Sequence, residues 1–255
     1  MNTTPSCSSL IGTVFAALIA LFAGVTAPIQ TPEIATPQPI VIYEFVLAPA
    51  NPVSAQEFEE SRQTLDQRLG VLVANGQIQQ YGIQPTNGEF AVMVFDPRLD
   101  FDSVLKALTA PGYLELADFG DNRTLQSGQS VLTSGGLARA GEAANGRTVY
   151  PTVIESADIA SARAVQNANS GAWQINLTMT ADGAAKLGAF TKANTGKVLG
   201  VVLDGVILMA PTIQARVADS VVISGDFSQT EAELLAVQLN SRPLPVALTV
   251  ARIGR

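Results

Sequence analysis

The chain has 255 residues, 47 % of them apolar and 15 % charged, which allows a sizeable core and excludes a disordered, highly charged chain. A net charge of −7, with four lysines among fifteen cations, supplies no basic stripe for phosphates and excludes nucleic acid as a partner. Histidine is absent and Cys7 stands alone, which removes imidazole metal sites, Ser-His and Cys-His nucleophiles and any intramolecular disulfide.

Leu10 to Val25 carry no charge, and the apolar run extends to Ala27. This lies near the lower limit of about 17–25 residues for a spanning helix and exceeds the roughly 7–15 of a signal-peptide core. Residues 1–27 therefore read as a signal peptide or a membrane anchor, and Val25-x-Ala27 has the form of a cleavage site. Cys7 precedes the run, so it does not fit a lipid-attachment cysteine. Residues 28–39 hold four prolines and read as an extended linker.

Ile40–Leu47 is rich in β-branched and aromatic residues and reads as a strand. Ser54 with Glu57 forms a capping box, Val53 and Phe58 stand as a hydrophobic staple, and Leu65, Leu69, Leu72 and Val73 recur at helical spacing to Ala74. Strands are expected around Gln77–Gln84 and Phe90–Phe95 about the Asn87-Gly88 turn, then a helix over Phe101–Thr109 and a closing strand Tyr113–Phe119. The order βαββαβ suits a ferredoxin-like sandwich. Gly120–Tyr150, rich in Gly, Ser and Asn, reads as a mobile loop.

A second module begins near Pro151. Trp173, Ile175, Leu177 and Met179 alternate with polar residues as a half-buried strand, which makes Trp173 a core residue rather than a partner anchor. Thr180 caps a helix over Ala181–Asn194, and Gly196 stops it. Two apolar runs joined by Asp204-Gly205 predict a hairpin. Ser220–Ser224 is a further strand, Ser228 and Glu231 open a capped helix through Leu239, and Leu244–Ile253 is a last strand. The body is α+β in two sub-domains.

No residue pattern specifies chemistry. Asp204 and Gly205 are a structural turn, and Asp226 belongs to the turn before the last helix. Lys186, Lys192 and Lys197 read as a solvated face rather than part of a Ser-Lys dyad. Gly135-Gly136 reads as flexibility, outside the strand–loop–helix context of a phosphate cradle. Catalytic, cofactor-binding and metal sites are expected to be none, and the chain is read as not an enzyme.

Leu177–Ala184 (LTMTADGA), Phe190–Lys197 (FTKANTGK), Val202–Pro211 (VLDGVILMAP), Ile223–Phe227 (ISGDF), Glu231–Leu239 (EAELLAVQL) and Leu244-Pro245 resemble, in order, the first extracytoplasmic domain of SecD, a membrane component of the Sec protein-export machinery. The N-terminal half is similar more loosely, through the helix containing Arg68, Tyr81-Gly82-Ile83 and Gly112–Leu116 (GYLEL). The resemblance implies a ferredoxin-like base over residues 40–119 completed by 245–253, a flexible loop or hinge at 120–151, and an inserted α+β head over 152–242. Arg242–Pro245 would be a second hinge. It further implies a non-enzymatic auxiliary of Sec-dependent export, extracytoplasmic in the cell envelope and either anchored to the membrane through its N-terminal segment or secreted. Its partners would be unfolded or translocating polypeptide and Sec membrane subunits. A complete SecD continues into further transmembrane helices, which with SecF couple movement to the proton gradient, and this sequence contains no second apolar span. The alternatives are a repurposed cell-envelope interaction module and an extracytoplasmic hydrolase, the latter requiring a Ser-Lys or carboxylate pair within hydrogen-bond reach.

Overall fold

The computed structural model describes residues 41–254 apart from Leu99, Glu142 and Ala218. The expected signal or anchor at 1–27 and the linker at 28–39 lie outside the described residues. Among those described, no helix is long and apolar enough to cross a membrane.

In chain order the elements begin with β1 (Ile42–Pro49), α1 (Ala55–Ala74), β2 (Gln80–Thr86), β3 (Glu89–Phe95), α2 (Phe101–Thr109) and β4 (Leu114–Gly120). Then come β5 (Leu132–Thr133), α3 (Ser134–Ala140), β6 (Val149–Tyr150), β7 (Thr152–Glu155), β8 (Ile159–Gln166) and β9 (Trp173–Met179). The last are α4 (Ala181–Ala193), β10 (Val198–Leu203), β11 (Val206–Met209), β12 (Ser220–Phe227), α5 (Gln229–Leu239) and β13 (Leu248–Gly254).

The first sheet runs β13-β1-β3-β2 with every neighbour antiparallel. Its β2–β3 hairpin turns at Asn87 and Gly88, both at positive φ (52° and 78°), the conformation that matches strand twist. The capping box opens α1 as expected: the Ser54 hydroxyl accepts the Glu57 N–H, and Glu57 accepts the Ser54 N–H at 2.7 Å. Phe45, Leu47, Leu65, Leu69, Val92 and Leu108 fill the space between sheet and helices, each contributing about 1.5–3 kcal/mol of burial.

The strand expected to close this sheet at Tyr113–Phe119 forms as β4 but belongs elsewhere: the second sheet runs β11-β10-β4-β7. Two facts explain the move. From Leu114 to Ala117 every residue of β4 is buried, so it needs a central position with neighbours on both edges. The Asp204 carboxylate also accepts the N–H groups of Gly112 (3.0 Å) and Tyr113 (2.8 Å), drawing the chain to the β10–β11 hairpin. The place beside β1 is filled by β13.

A third sheet, β12-β9-β8, packs under α5. That helix is buried nearly all round: Leu234 and Val237 enter the core of the first sheet, while Ala232, Leu235, Ala236 and Leu239 enter the core of the second and third. The segment read as a mobile loop, Gly120–Tyr150, contains α3 and the parallel pair β5–β6. Gly135 is there for close approach rather than flexibility, since a Cβ would overlap the Glu115 carboxylate and the Tyr113 hydroxyl (2.8 Å).

Candidate functional site

Two features stand out, one polar and closed, one apolar and open. The polar feature is the junction where α1, α2, α5 and the start of β4 meet. Arg68, on the inward stripe of α1, is fully buried. Its guanidinium donates to the carbonyls of Ala107 (2.9 Å), Leu108 (3.2 Å), Ala110 and Pro111 (2.8 Å) and to the Ser241 hydroxyl (3.0 Å). Burial pulls its pKa down to about 10, and the field of Asp204 opposes that shift, so the group stays cationic at neutral pH. Gly112 must be glycine here, because φ is +78° and a Cβ would stand 2.9 Å from Arg68 Nη2.

Asp204 and Gly205 form the expected turn, at φ 50° and 79°. The Asp204 carboxylate does more than the turn requires, holding Gly112 and Tyr113 as described. The segment read as a hinge at Arg242–Pro245 is tied into the same junction. Leu244 N–H donates to the Pro111 carbonyl (2.9 Å), Arg242 N–H to Gln67 Oε1 (3.3 Å), and Arg139 to the Leu244 carbonyl. Arg139 also lies over the Tyr113 ring, 5.1 Å from its centroid. Sequence reasoning missed this junction. The signal available was a cation at an inward position of α1, where spacing alone asks for an apolar residue.

The apolar feature is a cleft of about 360 Å³ between α4, β10–β11 and the start of β12. Leu187, Leu199, Val201 and Met209 line it, and Val217 and Val222 stand on it 39 % and 43 % exposed. The loop after β11 is held over α4 by Thr191, whose hydroxyl oxygen accepts the Val217 N–H (2.9 Å). Farther along, the Leu199 N–H donates to the Pro211 carbonyl (3.0 Å) and the Ile213 N–H to the Lys197 carbonyl (2.9 Å). An open apolar cleft on a hydrogen-bonded frame suits an apolar side chain.

Lys186 lies on a solvated face, as expected, and from there donates to both oxygens of the largely buried Asp158 carboxylate (2.7 and 3.0 Å). Asp158 raises the Lys186 pKa, the opposite of what a general base needs. Lys192 is exposed at the end of α4, and Lys197 is half-buried after it. Asp226 lies within β12 at a register irregularity rather than in a turn after the strand. Trp173 is half-buried against the core, as its strand position implies. Glu115, fully buried on β4, accepts from the hydroxyls of Thr133 (2.5 Å) and Thr152 (2.6 Å). Among the described residues, no three Asp, Glu or Cys side chains stand together as a metal cluster.

Comparison with known proteins gives a consistent result. Residues 137–246 match the family model for the SecDF P1 head subdomain. The chain is 44 % identical to the protein translocase subunit SecDF of Thermus thermophilus over 104 residues, 40 % of this chain and 14 % of that one. It is 28 % identical to SecD of Koribacter versatilis over 205 residues, 76 % of this chain and 37 % of the relative. A crystal structure of SecDF in its super-membrane-facing form superposes with a TM-score of 0.64 at 27 % identity, covering 84 % of this chain and 30 % of that one. A second structure, described as that of a membrane component SecDF that enhances protein export, superposes with a TM-score of 0.61 at 28 % identity, covering 83 % of this chain and 99 % of that one. The chain thus spans 14 % and 37 % of the length of these two relatives.

Proposed function

We propose that this SecD-like domain works outside the cytoplasm as a non-enzymatic auxiliary of Sec-dependent protein export, contacting translocating polypeptide or Sec membrane subunits. The apolar cleft of the head carries the reading. Burying one Leu- or Phe-sized side chain there contributes about 1.5–3 kcal/mol. A millimolar Kd corresponds to about 4 kcal/mol, so the cleft alone gives a brief, sequence-tolerant grip, as a chain that must move on requires.

We read the first sheet with α1 and α2 as a ferredoxin-like base. Its β13-β1-β3-β2 order and all-antiparallel pairing support this, with β13 as the fourth strand after a long insertion. On that reading β4 belongs with the head, and α5 is shared. Residues 1–27 would tether the domain to the membrane or export it. The raised Lys186 pKa weighs against the hydrolase alternative.

In-cell photo-crosslinking from positions 217 and 222, with exposed positions on α1 as controls, tests the proposal. Adducts of exported polypeptide or Sec subunits at the two valines and not at the controls are expected. Adducts confined to unrelated envelope proteins would favour the repurposed interaction module.

A further inference from the structure

Among the described residues the third sheet ends on β8, which pairs with β9 and with no other strand. At its hairpin end the Asn167 N–H donates to the Ala172 carbonyl (2.8 Å), and the register from Ser161 to Gln166 is unbroken. In an antiparallel ladder this parity points the backbone groups of odd-numbered β8 residues at β9 and of even-numbered ones away from it. Ala162 follows the rule. Its N–H donates to Asn240 Oδ1 (2.9 Å), and its carbonyl accepts from Asn240 Nδ2 (2.7 Å). A carboxamide therefore stands where the peptide group of a neighbouring strand would.

By the same parity, the N–H and carbonyl of Ala164 and Gln166 face that edge. Ala164 lines a groove of about 670 Å³ bounded also by α1 through Val71, by Asn75 and Gln77 after it, and by α5. Gln77 is 6 % exposed; its Nε2 donates to Glu233 (2.8 Å), but its Oε1 has no partner. Among the described residues, it is the one buried side-chain polar atom left unpaired. A buried acceptor without a donor is unfavourable, so the groove holds an unmet acceptor beside an unmet strand edge.

We propose that this edge takes up a short extended segment of polypeptide as an added strand, held through its main chain at Ala164 and Gln166. Asn240 closes the site at Ala162, and a modest turn of the Gln77 amide supplies a further acceptor. Main-chain recognition is indifferent to sequence, which fits a varied clientele. The inference rests on the export reading above and states where, and by which groups, the chain is held.

The test is fluorescence anisotropy on the full chain with a labelled Val/Thr/Ser peptide and its alternately N-methylated analogue. Strand addition predicts that N-methylation weakens binding about tenfold, the scale of one or two hydrogen bonds. Ala164→Pro removes an outward N–H and spares the ladder to β9, so it is expected to cost the unmodified peptide a similar factor. Equal affinity for the two peptides overturns the proposal. If that equal binding is lost in Val222→Asp, the cleft holds the chain and the export reading survives. Absence of binding by either peptide, together with absence of crosslinks at 217 and 222, removes both. Self-association that disappears in Ala164→Pro overturns the proposal in favour of a second copy at this edge. Should Ala164→Pro not fold, the two peptides on the unaltered chain decide alone.

Discussion

Around Arg68 each nitrogen of a buried cation meets a carbonyl or hydroxyl fixed by another element, whereas the cleft below Val217 and Val222 offers apolar surface and leaves it uncovered. The junction needs one geometry, because each missed bond there strands a buried polar group. The cleft tolerates many occupants, because dispersion and burial have no direction. Selectivity for shape thus sits inside, and tolerance sits on the surface. Bonds from Leu244 to Pro111, from Arg242 to Gln67 and from Arg139 to Leu244 connect the segment expected to be a hinge to the closed region.

The largest effect should come from breaking the closed region. Arg68→Met takes a donor from the carbonyls of Ala107, Leu108 and Ala110 and from the Ser241 hydroxyl, leaves Pro111 with the Leu244 N–H alone, and is expected to lower stability by about 3–5 kcal/mol in urea unfolding of the full chain. Arg68→Lys keeps the charge but offers three donors from one point, so it should recover only part. A loss below about 1 kcal/mol for the Met variant would mean that apolar packing of α5, rather than Arg68, holds the junction. Gly112→Ala attacks the same place from the backbone. A left-handed φ costs an L-residue about 1–2 kcal/mol, and the contact with Arg68 Nη2 adds to it. If Gly112→Ala is neutral, the cage is looser than its distances imply.

Much of the fold was legible in local pattern. The capping boxes at Ser54 and Ser228, the Asn87-Gly88 and Asp204-Gly205 turns and the alternation from Trp173 to Met179 all lie where short-range rules place them. What was not legible depends on long-range pairing. β4 looks like any closing strand until its burial on both faces and the reach of Asp204, 91 residues away from Tyr113, move it to another sheet. Gly135 looks like a flexible residue until Glu115 occupies the space its Cβ would need. The cleft was invisible for the same reason, since no single run of sequence contains it. Its walls come from α4, β10, β11 and β12, each of which reads as ordinary core.

A smaller effect on stability, with a large effect on contact, is expected at the open region. Val222→Asp places a carboxylate on a residue already 43 % exposed, so unfolding should shift by no more than about 0.5 kcal/mol. Crosslinks from position 217 to polypeptide should nevertheless fall sharply, because an incoming apolar side chain would meet an unpaired charge. Loss of crosslinks accompanied by a large drop in the urea midpoint would erase the contrast, showing that the cleft is part of the core.

The smallest effect tests whether α5, which serves both cores, is sensitive to acid at its start. The Ser228 backbone N–H, then its hydroxyl, with Lys106 adding a minor contribution, holds the Glu231 carboxyl below its ordinary value of 4.5. A depressed folded-state pKa means that the folded chain binds this proton less readily than the unfolded one. The stabilisation is therefore fully present above about pH 4.5 and is lost as pH falls through the lower, folded value. Glu231→Gln cannot titrate and should show a flatter loss of stability between about pH 5 and 3, while differing little from the parent at the bottom of that range. Identical acid slopes in the two chains would show that the capping box at α5 is formed by geometry alone, with no net charge contribution, and that the shared helix is anchored by its buried faces.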